Sequence, residues 1–216
     1  MRQGSTACVF LLATQTWSQH HWSQHKAAFL LRVLESLTDQ LAKLGVPLQI
    51  LDAPNFDDAP GHLLKFSREI GAKKLFFNRE YPLDEKVRDE RVHNTLEENG
   101  IECEPHDSFL VFPPNSILKD DGHPYSVFTP FKRKWLAKAE AEDLRSLPCP
   151  RPQQSRVLET KIPGEILSTR ANFGQNLWPG NHKHAGDLLE TFLNGKIDRY
   201  HNAVSYTHLR AHETIA

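Results

Sequence analysis

KLFFNREYPLDEKVRDERV, from Lys74 to Val92, decides the fold. Leu75, Phe76 and Phe77 form a short apolar run of the kind buried inside a parallel sheet. Asn78 ends it. Arg79 to Pro82 reads as a loop, with Pro82 suited to a position just before or inside a first helical turn. Leu83 to Glu98 then reads as a charged helix with an apolar stripe at Leu83, Val87 and Val92. In a doubly wound sheet, ligands sit beyond the carboxyl ends of the strands, and this strand-to-helix junction lies there. The acidic pair Asp84–Glu85 therefore falls where such a fold would hold a ligand. On spacing alone the plainer reading is favoured: acids in a first helical turn suit the helix dipole.

The same rhythm extends outward from this stretch. Ala7 to Ala13 reads as a buried-type strand and Thr14 to Gln24 as a polar loop holding Trp17, His20, His21 and Trp22. His25 to Leu44 is the clearest helix, with Phe29, Leu30, Val33, Leu34, Leu37, Leu41 and Leu44 at helical spacing and Gly45 closing it. Pro47 to Leu51 reads as a strand, Ala59 to Ile70 as a helix closed by Gly71, and Ile101 to His106 as a last strand. Strand–helix alternation of this kind argues for α/β with a parallel sheet and helices on both faces. After Ser108 the rhythm changes. Tyr125 to Trp135 leads into a helix expected to end near Leu147, Pro148 to Pro163 reads as an extended linker, and His184 to Tyr200 as a further helix.

The chain has 216 residues, 39% hydrophobic and 25% charged, with a net charge of −1. These values suit a globular protein with no global field for nucleic acid. Three scattered cysteines, Cys8, Cys103 and Cys149, argue against a disulfide framework and fit a reducing cytosol, so a cytoplasmic location is expected. No apolar run approaches membrane-spanning length, and Cys8 to Ala13 is too short for a signal h-region.

The usual phosphate cradles, G-x-G-x-x-G and the P-loop, are absent, as is G-x-S-x-G. Histidines cluster at His20, His21 and His25 and at His182 and His184, without the cysteine or carboxylate spacing of a zinc site, so no metal ligands are assigned. Lys132–Arg133–Lys134 reads as the solvated face of a helix rather than a phosphate contact. Tyr125, Phe128 and Phe131 read as packing anchors rather than a stacking platform.

Two strings carry a resemblance. NREYPLDEKVRDERV (Asn78 to Val92) and YSVFTPFKRKW (Tyr125 to Trp135) resemble the N-terminal domain of the photolyase/cryptochrome family, nearest to its bacterial class I cyclobutane pyrimidine dimer branch. Thr16 to Leu48 is similar to the same domain, and the resemblance covers about Ala7 to Asn202. It implies a Rossmann-like, doubly wound parallel sheet with an antenna chromophore, then a linker, then an all-α domain that binds FAD. The implied activity is a light-driven carbon–carbon lyase: reduced, excited flavin gives an electron to a pyrimidine dimer flipped out of DNA.

Residue by residue, the resemblance implies that Glu85 holds the pterin ring of a 5,10-methenyltetrahydrofolate antenna. His20 lies in the loop beside the folate, and Tyr200 matches a tyrosine that contacts FAD. Asp84 stands where folate-using members usually have Asn, so an acid that only accepts replaces an amide that also donates. The expected organisation is a partial antenna domain over residues 1–135, a linker over 136–180, the start of the FAD-binding domain over 181–202, and a non-native tail over 203–216. Val204 to Thr214 is similar to translated adapter sequence. The family's first strand has no counterpart, so a gap at the sheet centre, unpaired edges and marginal stability are expected. Most of the FAD site, the dimer pocket and the basic DNA groove are also expected to lie outside this chain. The fragment is then expected to be a monomer, inactive alone, whose parent acts on damaged DNA. The alternatives are a cryptochrome-type photoreceptor and a stand-alone α/β pterin- or nucleotide-binding module.

Overall fold

A computed structural model describes residues 5–142, 144, 147–154 and 178–200. Strand-type and helix-type patterns alternate in it much as the periodicity requires. The elements are β1 (Cys8–Leu12), α1 (Thr14–Gln19), α2 (Gln24–Lys43), β2 (Leu48–Asp52), a 3-10 turn (Phe56–Asp58) and α3 (Ala59–Ile70). They continue with β3 (Lys74–Asn78), α4 (Leu83–Glu98), β4 (Glu102–His106), α5 (Phe128–Ala141), α6 (His182–Leu193) and a second 3-10 turn (Ile197–Arg199).

Local chemistry sets the boundaries. The Ser23 hydroxyl accepts the Lys26 N–H at 3.2 Å and opens α2. Gly71, at φ 66°, closes α3 in the left-handed conformation that costs an L side chain strain. Pro82 precedes the first turn of α4, which carries Asp84 and Glu85. Three expectations are corrected. The loop expected from Thr14 contains helix α1, because short polar residues there find backbone and tertiary partners. The helix expected to reach Leu147 ends at Ala141. The helix expected over His184 to Tyr200 is α6 followed by a 3-10 turn, with Asn194 as its C-cap.

The α/β class holds, and the pairing is parallel. β3 lies beside β4 with Lys74 opposite Glu102 and Asn78 opposite His106. β1 lies beside β2: Cys8 N–H reaches Pro47 O at one end (2.8 Å) and Ala53 N–H reaches Leu12 O at the other (3.1 Å), which also makes them parallel. Among the described residues these are two separate two-stranded ladders rather than one four-stranded sheet.

The chain divides into two interleaved units. One comprises Met1–Cys8, Trp22–Gln49 and Pro152–Ala216, the other Val9–His21 and Ile50–Arg151. In the first, Asn181 Oδ1 caps α6 by accepting His184 N–H at 2.7 Å. Gly180 (φ 74°) sits so close to α2 that a Cβ there would lie 2.7 Å from Arg32 Cβ. In the second, Ala59, Leu63, Val92, Leu96, Ile101 and Cys103 form a buried cluster, with Val9, Leu11, Leu75 and Phe77 packed on it.

Strand alternation explains who joins that cluster. Leu75 and Phe77, with Cys103 opposite Leu75, face α3 and α4. Lys74, Phe76, Glu102, Glu104 and His106 face the other way. There Lys74 Nζ pairs with Glu102 (2.6 Å) and Glu104 (2.9 Å), and Phe76 stacks on His106 at 6.2 Å. The apolar run Leu75–Phe77 is thus not buried throughout: Phe76 is exposed. The stripe of α4 is corrected likewise. Leu83 and Val87 are exposed, and Val92 and Leu96 are its buried residues. Leu96 is fully buried at the centre of the cluster. Leu96→Ala should cost about 2–5 kcal/mol of unfolding free energy, measured as a lower urea midpoint at unchanged slope.

Candidate functional site

Beyond the carboxyl end of β1 the chain turns directly into α1. Thr16 is buried. Its backbone N–H and that of Gln15 donate to Pro54 O at 3.2 and 3.0 Å, and its hydroxyl accepts Phe56 N–H at 3.2 Å. These bonds tie α1 to the segment that follows β2 and deliver His20, the C-cap of α1, to the N-terminus of α4. His20 Nε2 lies 3.3 Å from Asp84 Oδ2, an ion pair when the imidazole is protonated. The His20 ring also meets Phe56 edge-on at 6.4 Å.

Arg88, one turn beyond Asp84, lies 4.8 Å from the Phe56 ring centre as a cation–π partner. Its guanidinium donates to Asp89 Oδ1 from two nitrogens, at 2.7 and 3.1 Å, and pairs with Glu80 at 3.5 Å. Asp89 Oδ2 in turn accepts Glu80 N–H at 3.1 Å, which fixes the loop between β3 and α4. Arg91 pairs with Asp57. Phe56 is therefore flanked by an imidazole edge and a guanidinium, beside an acidic first turn of α4.

The structure brings two of the four expected site residues together, His20 and Asp84. Glu85 sits half-buried in the same turn. Among the described residues its carboxylate has no hydrogen bond or ion pair, in contrast to Asp84. Tyr200 belongs to the other unit, is 56% exposed, and packs edge-on against Phe192 at 5.8 Å.

A cleft of about 790 Å³ that the sequence did not reveal opens between the carboxyl ends of β3 and β4 and the side of α4. At its mouth Asp107 accepts from Arg79 Nη1 and from the Tyr81 hydroxyl, both at 3.0 Å. Lys86, Asp89 and His93 line the α4 side. Arg79 and Asp107 lie far apart in sequence. Only the pairing of Asn78 with His106 makes the residues that follow them neighbours.

Nearby, Phe131 meets Tyr125 at 6.3 Å and Phe128 at 6.5 Å, Phe112 meets Trp135 edge-on at 5.4 Å, and Lys134 pairs with Asp120 at 2.9 Å. The basic run is a solvated helix face, whereas Phe128, read as a packing anchor, is 71% exposed, and Tyr125 and Phe131 are half-buried.

A sequence model of one family, DNA photolyase, matches residues 1–153. The chain belongs to the DNA photolyase family. A deoxyribodipyrimidine photo-lyase from Vibrio cholerae is 35% identical over 130 residues, 60% of this chain and 28% of that protein. One from Salmonella typhimurium is 26% identical over 89% of this chain and 40% of its own length. The chain thus spans well under half the length of these photolyase relatives. The crystal structure of a bacterial class III photolyase from Agrobacterium tumefaciens matches 93% of this chain and 41% of its own, at a TM-score of 0.69 and 21% identity. That likeness establishes the photolyase N-terminal fold, Rossmann-like in type.

Burial, then the hydrogen bond to Asp107, push the Tyr81 phenol above its ordinary value. A raised acid favours the protonated form, so its contribution to stability is complete below the ordinary tyrosine value. It is lost as pH rises through the folded one. The ultraviolet difference titration between wild type and Tyr81→Phe should show a tyrosinate appearing later than in a free tyrosine. Asp107→Ala should shift it back down.

Proposed function

We propose that this chain is the antenna-binding part of a light-driven deoxyribodipyrimidine photolyase, and that Glu85 is the anchor of a pterin antenna. The observation that carries the reading is the contrast within one helical turn: His20 engages Asp84, while the adjacent Glu85 carboxylate stays uncommitted. A carboxylate offers two acceptor oxygens, and the edge of a pterin presents an N–H and an amino group side by side. The acceptor that this chain offers therefore fits a folate of the methenyltetrahydrofolate type. Such a group, when bound, absorbs near-ultraviolet light and passes the excitation on.

The protein's own part is orientation. Glu85 lies in the first turn of α4, where the helix dipole favours a carboxylate. Asp84, held by His20, stays an acceptor and supplies no amide donor. The bonds from Thr16, Gln15 and Phe56 keep α1 in place beside this turn.

Tyr200, the one position that resemblance assigns to FAD, is exposed and turned onto Phe192. Repair of cyclobutane dimers in damaged DNA by reduced FAD is proposed for the whole protein. No described helix is long and apolar enough to cross a membrane.

The test is an absorption spectrum of the purified chain after methenyltetrahydrofolate has been added and the excess removed. A retained, red-shifted near-ultraviolet band is expected. Glu85→Ala should weaken retention tenfold or more, the loss of a charge-assisted hydrogen bond worth about 1.5–3 kcal/mol. A band unchanged by that substitution would overturn the assignment, as would no band in a chain that circular dichroism shows to be folded.

A further inference from the structure

α4 carries His93 and Glu97 four residues apart, on one face of the helix. β4, entered through the short turn after Glu98, brings Cys103 beneath them. One nitrogen of His93, one carboxylate oxygen of Glu97 and the Cys103 sulfur all lie within 4.8 Å of one another. Glu97 is fixed in this position, because its Oε1 accepts the backbone N–H of Cys103 at 2.6 Å. Its second oxygen is not used by that bond. Cys103 is buried and free of any disulfide, and His93 is half-buried and lines the cleft beside α4.

We propose that His93, Glu97 and Cys103 form a binding site for a borderline divalent transition metal, best met by Zn(II). Imidazole, carboxylate and thiolate are the three donor types that zinc combines. Zinc bond lengths of about 2.0–2.3 Å place tetrahedral ligand atoms roughly 3.3–3.6 Å apart. The three ligand atoms, now within 4.8 Å of one another, would have to close to that spacing on binding, with Glu97 already held by the Cys103 backbone N–H. Three protein ligands leave a fourth position, which would face the cleft through His93 and take water or a small anionic ligand. Cys8 and Cys149 contribute nothing to this cluster, so the site has one thiolate and a distinct spectroscopic signature.

Co(II), which occupies tetrahedral zinc sites and is coloured there, is the probe. Titrating the reduced, purified chain with Co(II) should produce visible ligand-field bands together with a near-ultraviolet thiolate-to-cobalt charge-transfer band, and Zn(II) should bleach both. Cys103→Ser should abolish the charge-transfer band. His93→Gln, at a half-buried position that leaves the core intact, should weaken Co(II) binding tenfold or more with unchanged circular dichroism. Should Cys103→Ser fail to fold, Glu97→Gln takes its place, since an amide oxygen still accepts the Cys103 N–H but no longer offers a charged ligand. The proposal is overturned by the absence of any charge-transfer band in the folded chain. A band that survives Cys103→Ser, or an affinity untouched by His93→Gln, overturns it equally.

Discussion

The seating of α4 on the β3–β4 ladder is the constraint on which the rest of the second unit depends. Leu96 and Val92 enter the buried cluster from the helix, and Ile101 and Cys103 enter it from the strand that follows. The connection between them is short, and it is closed by hydrogen bonds from Asn99, Gly100 and Ile101 back to the last turn of α4. Once those two apolar residues are buried, the rotation of α4 about its axis is settled. The direction of every other side chain on the helix follows.

That rotation makes α4 a distributor of charge. Asp84 turns toward His20, Arg88 and Asp89 toward the loop after β3, and Arg91 toward Asp57. Exposed ion pairs of this sort contribute little stability individually. Arg88 and Asp89 differ, because their side chains are largely shielded and each also satisfies a neighbour: Arg88 faces the Phe56 ring and Asp89 accepts a loop N–H. The geometry of the loop from Arg79 to Pro82 is thereby coupled to the helix whose first turn carries Glu85.

The two parallel ladders give the fold its polarity. All four strands lead at their carboxyl ends toward the segments that bear polar and aromatic groups: α1 after β1, the 3-10 turn after β2, the loop after β3, and Asp107 after β4. The Rossmann-like photolyase fold concentrates ligand chemistry at that end for a physical reason. In such folds the loops and helix N-termini that follow the strands, rather than the strand interiors, present side chains and backbone groups to a ligand. The opposite faces of β3 and β4 are occupied instead by Lys74 with its two glutamates, and Glu104 is correspondingly held below its ordinary carboxylate value by Lys74.

The sequence by itself determined the element order, the parallel α/β class and the family, because apolar periodicity, helix caps and short motifs are local. The spans of α3 and α4 could be read from their ends, Gly71 and Pro82. The sequence also placed His20 and Asp84 in segments near a strand's carboxyl end. It could not say that these two residues touch, since that contact depends on α1, whose polar residues gave no periodic signal and which is held by Thr16 and Pro54. It assigned Leu83, Val87 and Phe76 to the interior, whereas the rotation of α4 and the alternation of β3 turn them outward. Arg79 with Asp107, and His93 with Glu97 and Cys103, became neighbours only through strand register and helix seating. The i, i+4 pair before a cysteine was a visible hint, but only tertiary packing decides whether the helix face and the strand face look at each other. Burying Leu96 and Val92 is what makes them do so.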